Sequence, residues 1–388
     1  MKKLLAVLLS AAMVMSLAAC AQKQEQPAAA PATAAPQETT VAATVAATQA
    51  AAAEAAKESG DHSTEIALVM SAEGTIDDRG FFQGAWEGIT KFCEETGYSC
   101  GYYNPTDNTA DALYEVMDLA VLNGVKVFVI AGTNFIGMME EIFAAYPDCY
   151  FICNDLQDST PDKNSVIYLY KAEEATFLCG VAAVYENYKD MGVICGMQIP
   201  SNLNGGYGFM QGISYGVEKL DAKDVSLKYW YTNTFDPSAD IQAYAAAWFQ
   251  GNTEMIAAFC GPAETSIYAA AEANNGKTMG ADVDKSGYSD TVITTFLKNV
   301  NVMTYTGLKS WSEGKPEQGI KEVGIKEGAV GIVMDKARFN NFTQKDLDEV
   351  IDKINSGEIT IQNYTAADRP DDFFNQMEKQ NYKFEYFE

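Results

Sequence analysis

Short runs of aliphatic and β-branched residues alternate with amphipathic helical stretches from residue 65 to about residue 313, and this alternation is what most limits the fold. Residues 65–71 (EIALVMS) read as a buried strand, and 82–95 as a helix with Phe82, Ala85, Trp86, Ile89 and Phe92 at helical spacing. The pattern predicts strands over 98–103, 125–131, 149–154 and 165–170. Helices are predicted over 110–122 and 134–145, the second stopped before Pro147. The series then starts again. Helices are expected over 173–187, 209–219, 239–250, 263–274 and 298–313, and strands over 191–196, 226–231, 254–260, 277–281 and 291–296. Repeated strand–helix–strand units make a parallel sheet covered by helices on both faces. Two such series predict an α/β protein of two doubly wound lobes. Open parallel sheets bind ligands beyond the carboxyl ends of their strands, so two lobes can share one cleft.

The first twenty residues are of another kind. Lys2 and Lys3 precede an apolar run over 4–17 that is too short to span a bilayer, and Leu17-Ala18-Ala19-Cys20 closes it. This is the form of a secretory signal. Cys20 is either incidental or the lipidated cysteine of a lipobox, cleaved before Cys20 and diacylated on its thiol. The following segment favours lipidation. Residues 21–61 are rich in Ala, Thr, Pro, Gln and Glu, with no aromatic residue, and cannot bury enough surface to offset the entropy of ordering. The expected organisation is a signal over 1–20 and a tether over 21–61. One lobe follows from 62–170 plus 299–324, and a second from 171–298 plus 325–388. That order suits a monomeric receptor held by lipid on the extracytoplasmic face of the cell membrane.

The net charge of −26 argues against nucleic acid as a partner, because phosphate recognition needs a basic surface. The only histidine, His62, falls at the tether's end, which leaves no histidine-based zinc site or catalytic triad. Seven cysteines follow Cys20, so they cannot all pair internally. Most lie in apolar runs and act there as small hydrophobes. Cys93 and Cys100 can meet across a helix-to-strand turn, although spacing alone does not fix the geometry.

Candidate site residues lie at predicted strand ends. In the loop Gly74-Thr75-Ile76-Asp77-Asp78-Arg79-Gly80-Phe81-Phe82, Asp77 or Asp78 either caps the next helix or also grips a ligand hydroxyl. Phe81 offers a ring face, while Phe82 suits the core equally well. Asn134, Asp155, Phe235, Asp282 and Lys298 follow other strands. Each alone is a common helix-capping or loop residue. Together they describe a cleft of aspartates, one lysine and aromatic rings, suited to a neutral polyhydroxyl ligand with a flat part. Gly205-Gly206-Tyr207-Gly208 does not fit a dinucleotide fingerprint and reads as a turn leading into a helix near Phe209. No metal, cofactor or catalytic residue is expected.

Gly74-Thr75-Ile76-Asp77-Asp78-Arg79-Gly80-Phe81, followed by Trp86-Glu87-Gly88, resembles the opening of the basic membrane protein family, the nucleoside-binding lipoproteins of ABC importers of the PnrA/Med type. Further similar segments follow in order: Phe177-Leu178-Cys179-Gly180-Val181-Ala182-Ala183, Phe209 through Gly212 to Gly216, Phe235-Asp236-Pro237, Gly280-Ala281-Asp282-Val283-Asp284 and Thr294-Thr295-Phe296-Leu297-Lys298. The resemblance covers about residues 63–363. It implies a type I periplasmic-binding-protein fold with a three-stranded hinge, and a nucleoside, purine favoured, held between the lobes. It implies ring stacking by Phe81 and Phe235, ribose contacts from Asp282 and Lys298, and a membrane permease as partner. Phe82 stands where the family carries Asn, Cys260-Gly261-Pro262-Ala263-Glu264 replaces a glycine-rich turn, and Lys285 replaces a Gln. These changes bear on the base. The alternatives are a binding protein for another polyhydroxyl ligand and a cleft enzyme such as a nucleoside hydrolase. The absence of a plausible nucleophile–base pair favours a binder over an enzyme.

Overall fold

The computed structural model describes residues 64–388 apart from residue 158. The signal segment, Cys20 and the tether lie outside the described residues. The chain forms β1 (Ile66–Val69), α1 (Phe81–Thr96), β2 (Cys100–Tyr103), α2 (Ala110–Leu122), β3 (Val127–Ala131), α3 (Met139–Ala145), β4 (Tyr150–Asn154) and β5 (Ser165–Tyr170). A second series follows: α4 (Ala172–Tyr185), β6 (Asp190–Cys195), α5 (Pro200–Leu220), β7 (Ser226–Tyr231), α6 (Ala239–Gln250), β8 (Met255–Phe259), α7 (Glu264–Asn274), β9 (Lys277–Gly280) and β10 (Val292–Lys298). The remainder is α8 (Val300–Ser312), β11 (Gly319–Val323), β12 (Val330–Ile332), α9 (Gln344–Ser356), α10 (Pro370–Gln376) and β13 (Lys383–Phe387).

Two sheets result. One is six-stranded and wholly parallel, in the order β2-β1-β3-β4-β5-β11. The other is ordered β13-β7-β6-β8-β9-β10-β12 and is parallel except where β12 runs against β10. Each sheet places its first strand between its second and third. The strand order therefore reverses between β1 and β3 and again between β6 and β8, which are the crevices where such sheets bind ligands. Both faces of each sheet are covered. Ile66, Leu68 and Met70 enter one core while Ala67 and Val69 enter another, which is why the strand reads as an unbroken apolar run.

Local signals fix several helix ends. Thr109 and Ser238 accept from the N–H groups of Ala112 (3.4 Å) and Ile241 (3.2 Å), and Thr343 with Asp346 forms a capping box at α9. The expected turn at Gly205–Gly208 is instead continuous helix, because α5 starts at Pro200. Packing explains the difference. A Cβ on Gly208 would lie 2.2 Å from the Glu173 carbonyl oxygen, and one on Gly206 only 1.9 Å from Tyr229 Oη. Farther along, a Cβ on Gly212 would stand 2.1 Å from the Phe177 carbonyl oxygen, and one on Gly180 would stand 2.3 Å from that of Phe209. Glycine brings α4 and α5 together backbone to backbone, and this contact outweighs a helix-propensity cost of about 1 kcal/mol per glycine. Two other expectations shift. Lys298 ends β10 rather than opening a helix, and the left-handed Gly137 (φ 82°) delays α3 to Met139.

The chain passes between the sheets three times: from β5 into α4, from β10 into α8, and from β11 to β12. The passages are bonded to one another. Lys171 N–H donates to Val323 O (2.9 Å), and Asn299 N–H to Ala329 O (2.8 Å). Glu174 accepts from Ile325 N–H at 2.8 Å. No helix among the described residues is long and apolar enough to cross a membrane.

Candidate ligand-binding cleft

The loop after β1 turns on Asp78. Its carboxylate accepts from the N–H groups of Gly80 (2.9 Å), Phe82 (3.1 Å) and Gln83 (2.9 Å), which satisfies the open end of α1. Burial pushes its pKa up, the three backbone bonds oppose this, and the charge of Asp282 in the other lobe adds to the rise. The next residue, Arg79, is left-handed (φ 58°). Its carbonyl accepts from Lys285 Nζ of the second lobe at 2.5 Å, and its guanidinium lies 4.9 Å from the Tyr288 ring centroid. The lobes thus touch across the cleft.

A phenylalanine covers each strand-order reversal. Phe82 packs against Gly74 and Gly132 beyond β1 and β3, where added Cβ atoms would meet its ring at 3.0 and 3.5 Å. Phe235 covers Gly196 and Gly261 beyond β6 and β8, with corresponding distances of 2.3 and 3.5 Å. Phe81 meets Phe82 edge-on, with ring centroids 6.3 Å apart, and lies 5.5 Å from the Lys298 ammonium.

The charged centre is Lys298 with Asp155. Lys298 Nζ donates to Asp155 Oδ2 at 2.5 Å, and the two residues are 7% and 1% exposed. Asp155 Oδ1 accepts from Tyr170 N–H and Gln157 Nε2, both at 3.2 Å. A left-handed backbone at Asp155 (φ 57°) accompanies this arrangement. Burial works against the Lys298 charge, but Asp155, Asp282 and Glu173 outweigh it, so its pKa stands above the ordinary lysine value. Asp282 is also left-handed (φ 69°), and its carbonyl accepts from Lys298 N–H at 2.9 Å. Its half-buried carboxylate makes no hydrogen bond or ion pair among the described residues. Its neighbour Asp284 turns away to Lys336 at 2.7 Å. Among the described residues, no group of three or more His, Cys, Asp or Glu side chains is arranged to hold a metal ion.

The structure therefore gathers Asp78, Phe81, Asp155, Asp282 and Lys298, with Phe82 and Phe235 over the two crevices. Asn134 is not drawn into this group. It is exposed and donates to Glu73 at 3.2 Å. Sequence reasoning missed two buried acids. Glu264, 1% exposed, opens α7. Its Oε2 accepts from Tyr268 and from Ala281 N–H (3.4 Å) and stands 3.9 Å from Lys285 Nζ, while Oε1 has no partner. Burial pushes its pKa up to about 7 against the pull of Lys285. Glu173 at the start of α4 also has an unpartnered buried oxygen, and burial pushes it up to about 8. Glu264 closes the Cys260-Gly261-Pro262-Ala263-Glu264 segment after β8, which stands where the resembled family carries a glycine-rich turn. Glu173 carried no such signal. Chemically the cleft is rich in acceptors, and its two buried lysines are already engaged. It suits a ligand that brings donors and little negative charge.

Two doubly wound lobes joined by three passages, with polar and aromatic groups at facing strand ends, make this a type I periplasmic solute-binding fold. A solute-binding protein of an ABC transporter system from Aeropyrum pernix K1 is similar, with a TM-score of 0.68 at 22% identity over 80% of this chain and 96% of that one. A transcriptional activator of the comK gene from Bacillus halodurans aligns with a TM-score of 0.62 at 15% identity over 77% and 99%. The chain belongs to the Bmp family, the PnrA-like ABC transporter substrate-binding proteins, whose pattern matches residues 65–365. Basic membrane protein C of Borreliella burgdorferi is 27% identical over 77% of this chain and 89% of that protein. An ABC transporter nucleoside-binding protein, BmpA of Lactococcus lactis, is 24% identical over 78% and 91%. An uncharacterised lipoprotein of Pyrococcus horikoshii is 24% identical over 82% and 89%. The family is one of substrate-binding proteins rather than enzymes, and such a protein serves a small-molecule ligand and a membrane permease.

Proposed function

We propose that this chain is the lipid-anchored extracytoplasmic receptor of an ABC importer and that it binds a nucleoside, purine favoured, between its lobes. The observation that carries the reading is the Asp282 carboxylate, which has no hydrogen-bond or ion-pair partner among the described residues and lies beside Lys298 and opposite Asp78. A pair of ribose hydroxyls supplies the donors this carboxylate lacks. Phe81 and Phe235 supply faces for a base. The name of the Lactococcus lactis relative supports the ligand class, and that of the Pyrococcus horikoshii relative supports the anchor. Cys20 would carry the lipid, and residues 21–61 would let the body reach its permease.

Native mass spectrometry of the purified protein, with any retained ligand released and identified, tests the ligand. A nucleoside supports the reading, and a plain sugar favours the polyhydroxyl alternative. Release of free base from added nucleosides would instead indicate a hydrolase. Membrane fractionation of Cys20→Ala tests the anchor: the variant should leave the membrane, and unchanged partition refutes lipidation at Cys20.

A further inference from the structure

Among the described residues, Cys93 and Cys100 are the two cysteines whose thiols lie close enough to interact. Cys93 sits in the last turn of α1 and Cys100 is the first residue of β2, the edge strand of its sheet. Gly97 reverses the chain between them in the left-handed region (φ 81°) and donates its N–H to Cys93 O at 2.8 Å. The far side of the turn is pinned as well, because Ser99 O accepts from Glu65 and Ile66 N–H, both at 3.1 Å. Both are free, and their thiols interact with one another. The other cysteines of the folded body differ. Cys153, Cys179 and Cys260 are fully buried, Cys149 faces the Val125 carbonyl at 3.8 Å, and Cys195 faces Tyr229 Oη at 3.4 Å.

We propose that Cys93 and Cys100 form a redox-convertible pair that closes to an intramolecular disulfide when a low-molecular-weight disulfide is present. The two positions have distinct roles. Cys100 is the more exposed, and its contact with Cys93 lowers its pKa despite burial and Glu94. Cys93 is buried and its thiol is pushed up. The Cys100 thiolate attacks one sulfur of the disulfide RSSR, forms a mixed disulfide and releases one RS⁻. Cys93 then attacks Cys100 Sγ, the mixed disulfide breaks, and the second RS⁻ leaves. The pair loses two electrons to RSSR, and the two thiol protons end on two RSH. The bridge ties the end of α1 to the edge strand. Extracytoplasmic compartments allow such a bridge to persist, whereas the cytosol reduces it.

The test treats the purified full-length protein with oxidised glutathione at neutral pH, followed by non-reducing intact mass and peptide mapping, which also separates any reaction at Cys20. The wild type should become two hydrogens lighter through a peptide joining residues 93 and 100, without a retained glutathione on either. Cys93→Ser should keep a glutathione on Cys100, because nothing resolves it. Cys100→Ser should show neither bridge nor adduct at Cys93. The thermal midpoint of the oxidised wild type should rise and return on addition of reductant. A stable glutathione on wild-type Cys100, or no reaction at Cys100 in either wild type or Cys93→Ser, would overturn the proposal.

Discussion

Replacing Lys298 by Met should be among the most damaging single changes in the body of this protein. The ammonium and the Asp155 carboxylate are bonded at 2.5 Å with side chains only 7% and 2% exposed, so solvent does not screen the pair. Methionine removes the buried cation, but Asp155 remains buried with only the Tyr170 N–H and Gln157 bonds at 3.2 Å. Breaking one side of such a pair costs about 3–5 kcal/mol. Removing both charges costs far less, because no uncompensated charge stays behind. Lys298→Met with Asp155→Asn should therefore be more stable than the sum of the two single changes, by about 1–3 kcal/mol of coupling. Urea unfolding followed by far-UV circular dichroism on the four proteins measures this. A loss below about 1 kcal/mol for Lys298→Met, or strict additivity in the cycle, would refute the reasoning.

Gly212→Ala places a methyl 2.1 Å from the Phe177 carbonyl oxygen and should cost about 3 kcal/mol or more by forcing α4 and α5 apart, read as a lowered thermal midpoint. Glu264 and Glu173 should make stability fall as pH rises. Their folded pKa values of about 7 and about 8 lie above the unfolded value near 4.5, so the folded state holds more protons in that window. Stability is full below about pH 4.5 and is lost as pH climbs through 7 to 8, at about 3 kcal/mol or more for each group. Glu264→Gln should flatten the slope up to about pH 7, and Glu173→Gln should flatten it over the whole window up to about pH 8; an unchanged slope in both variants would contradict the assignment. Phe235→Ala should weaken ligand binding by about 1–3 kcal/mol through lost stacking, measured by calorimetry against the wild type.

The alternation of strand and helix was legible because both sheets are buried on both faces, and the strands therefore read as apolar runs. The glycine segments of α4 and α5 were visible as motifs, but their reason was not. What they record is a helix–helix contact, and no local rule tells a glycine that permits contact from a glycine that makes a turn. Residues beyond 313 gave no assigned element, although Thr343 and Asp346 carry a capping-box signal at the start of α9. At the cleft, strand ends pointed to Asp78, Asp155, Asp282 and Lys298 because parallel sheets gather those ends. The pairing of Lys298 with Asp155 is 143 residues long in sequence and needed the fold to be seen. Asn134 met the same strand-end rule, yet it lies outside the group because its helix begins late and its amide is engaged by Glu73.

The most direct test of the central claim is titration calorimetry of the wild type and Asp282→Ala with guanosine, inosine, adenosine, uridine and free ribose. The account predicts saturable binding of a purine nucleoside to the wild type. Asp282→Ala should weaken it by roughly one to two orders of magnitude, the equivalent of about 1.5–3 kcal/mol for a lost charged hydrogen bond in a closed cleft. No nucleoside binding to the wild type would contradict the ligand assignment, and equal binding by Asp282→Ala would contradict the site.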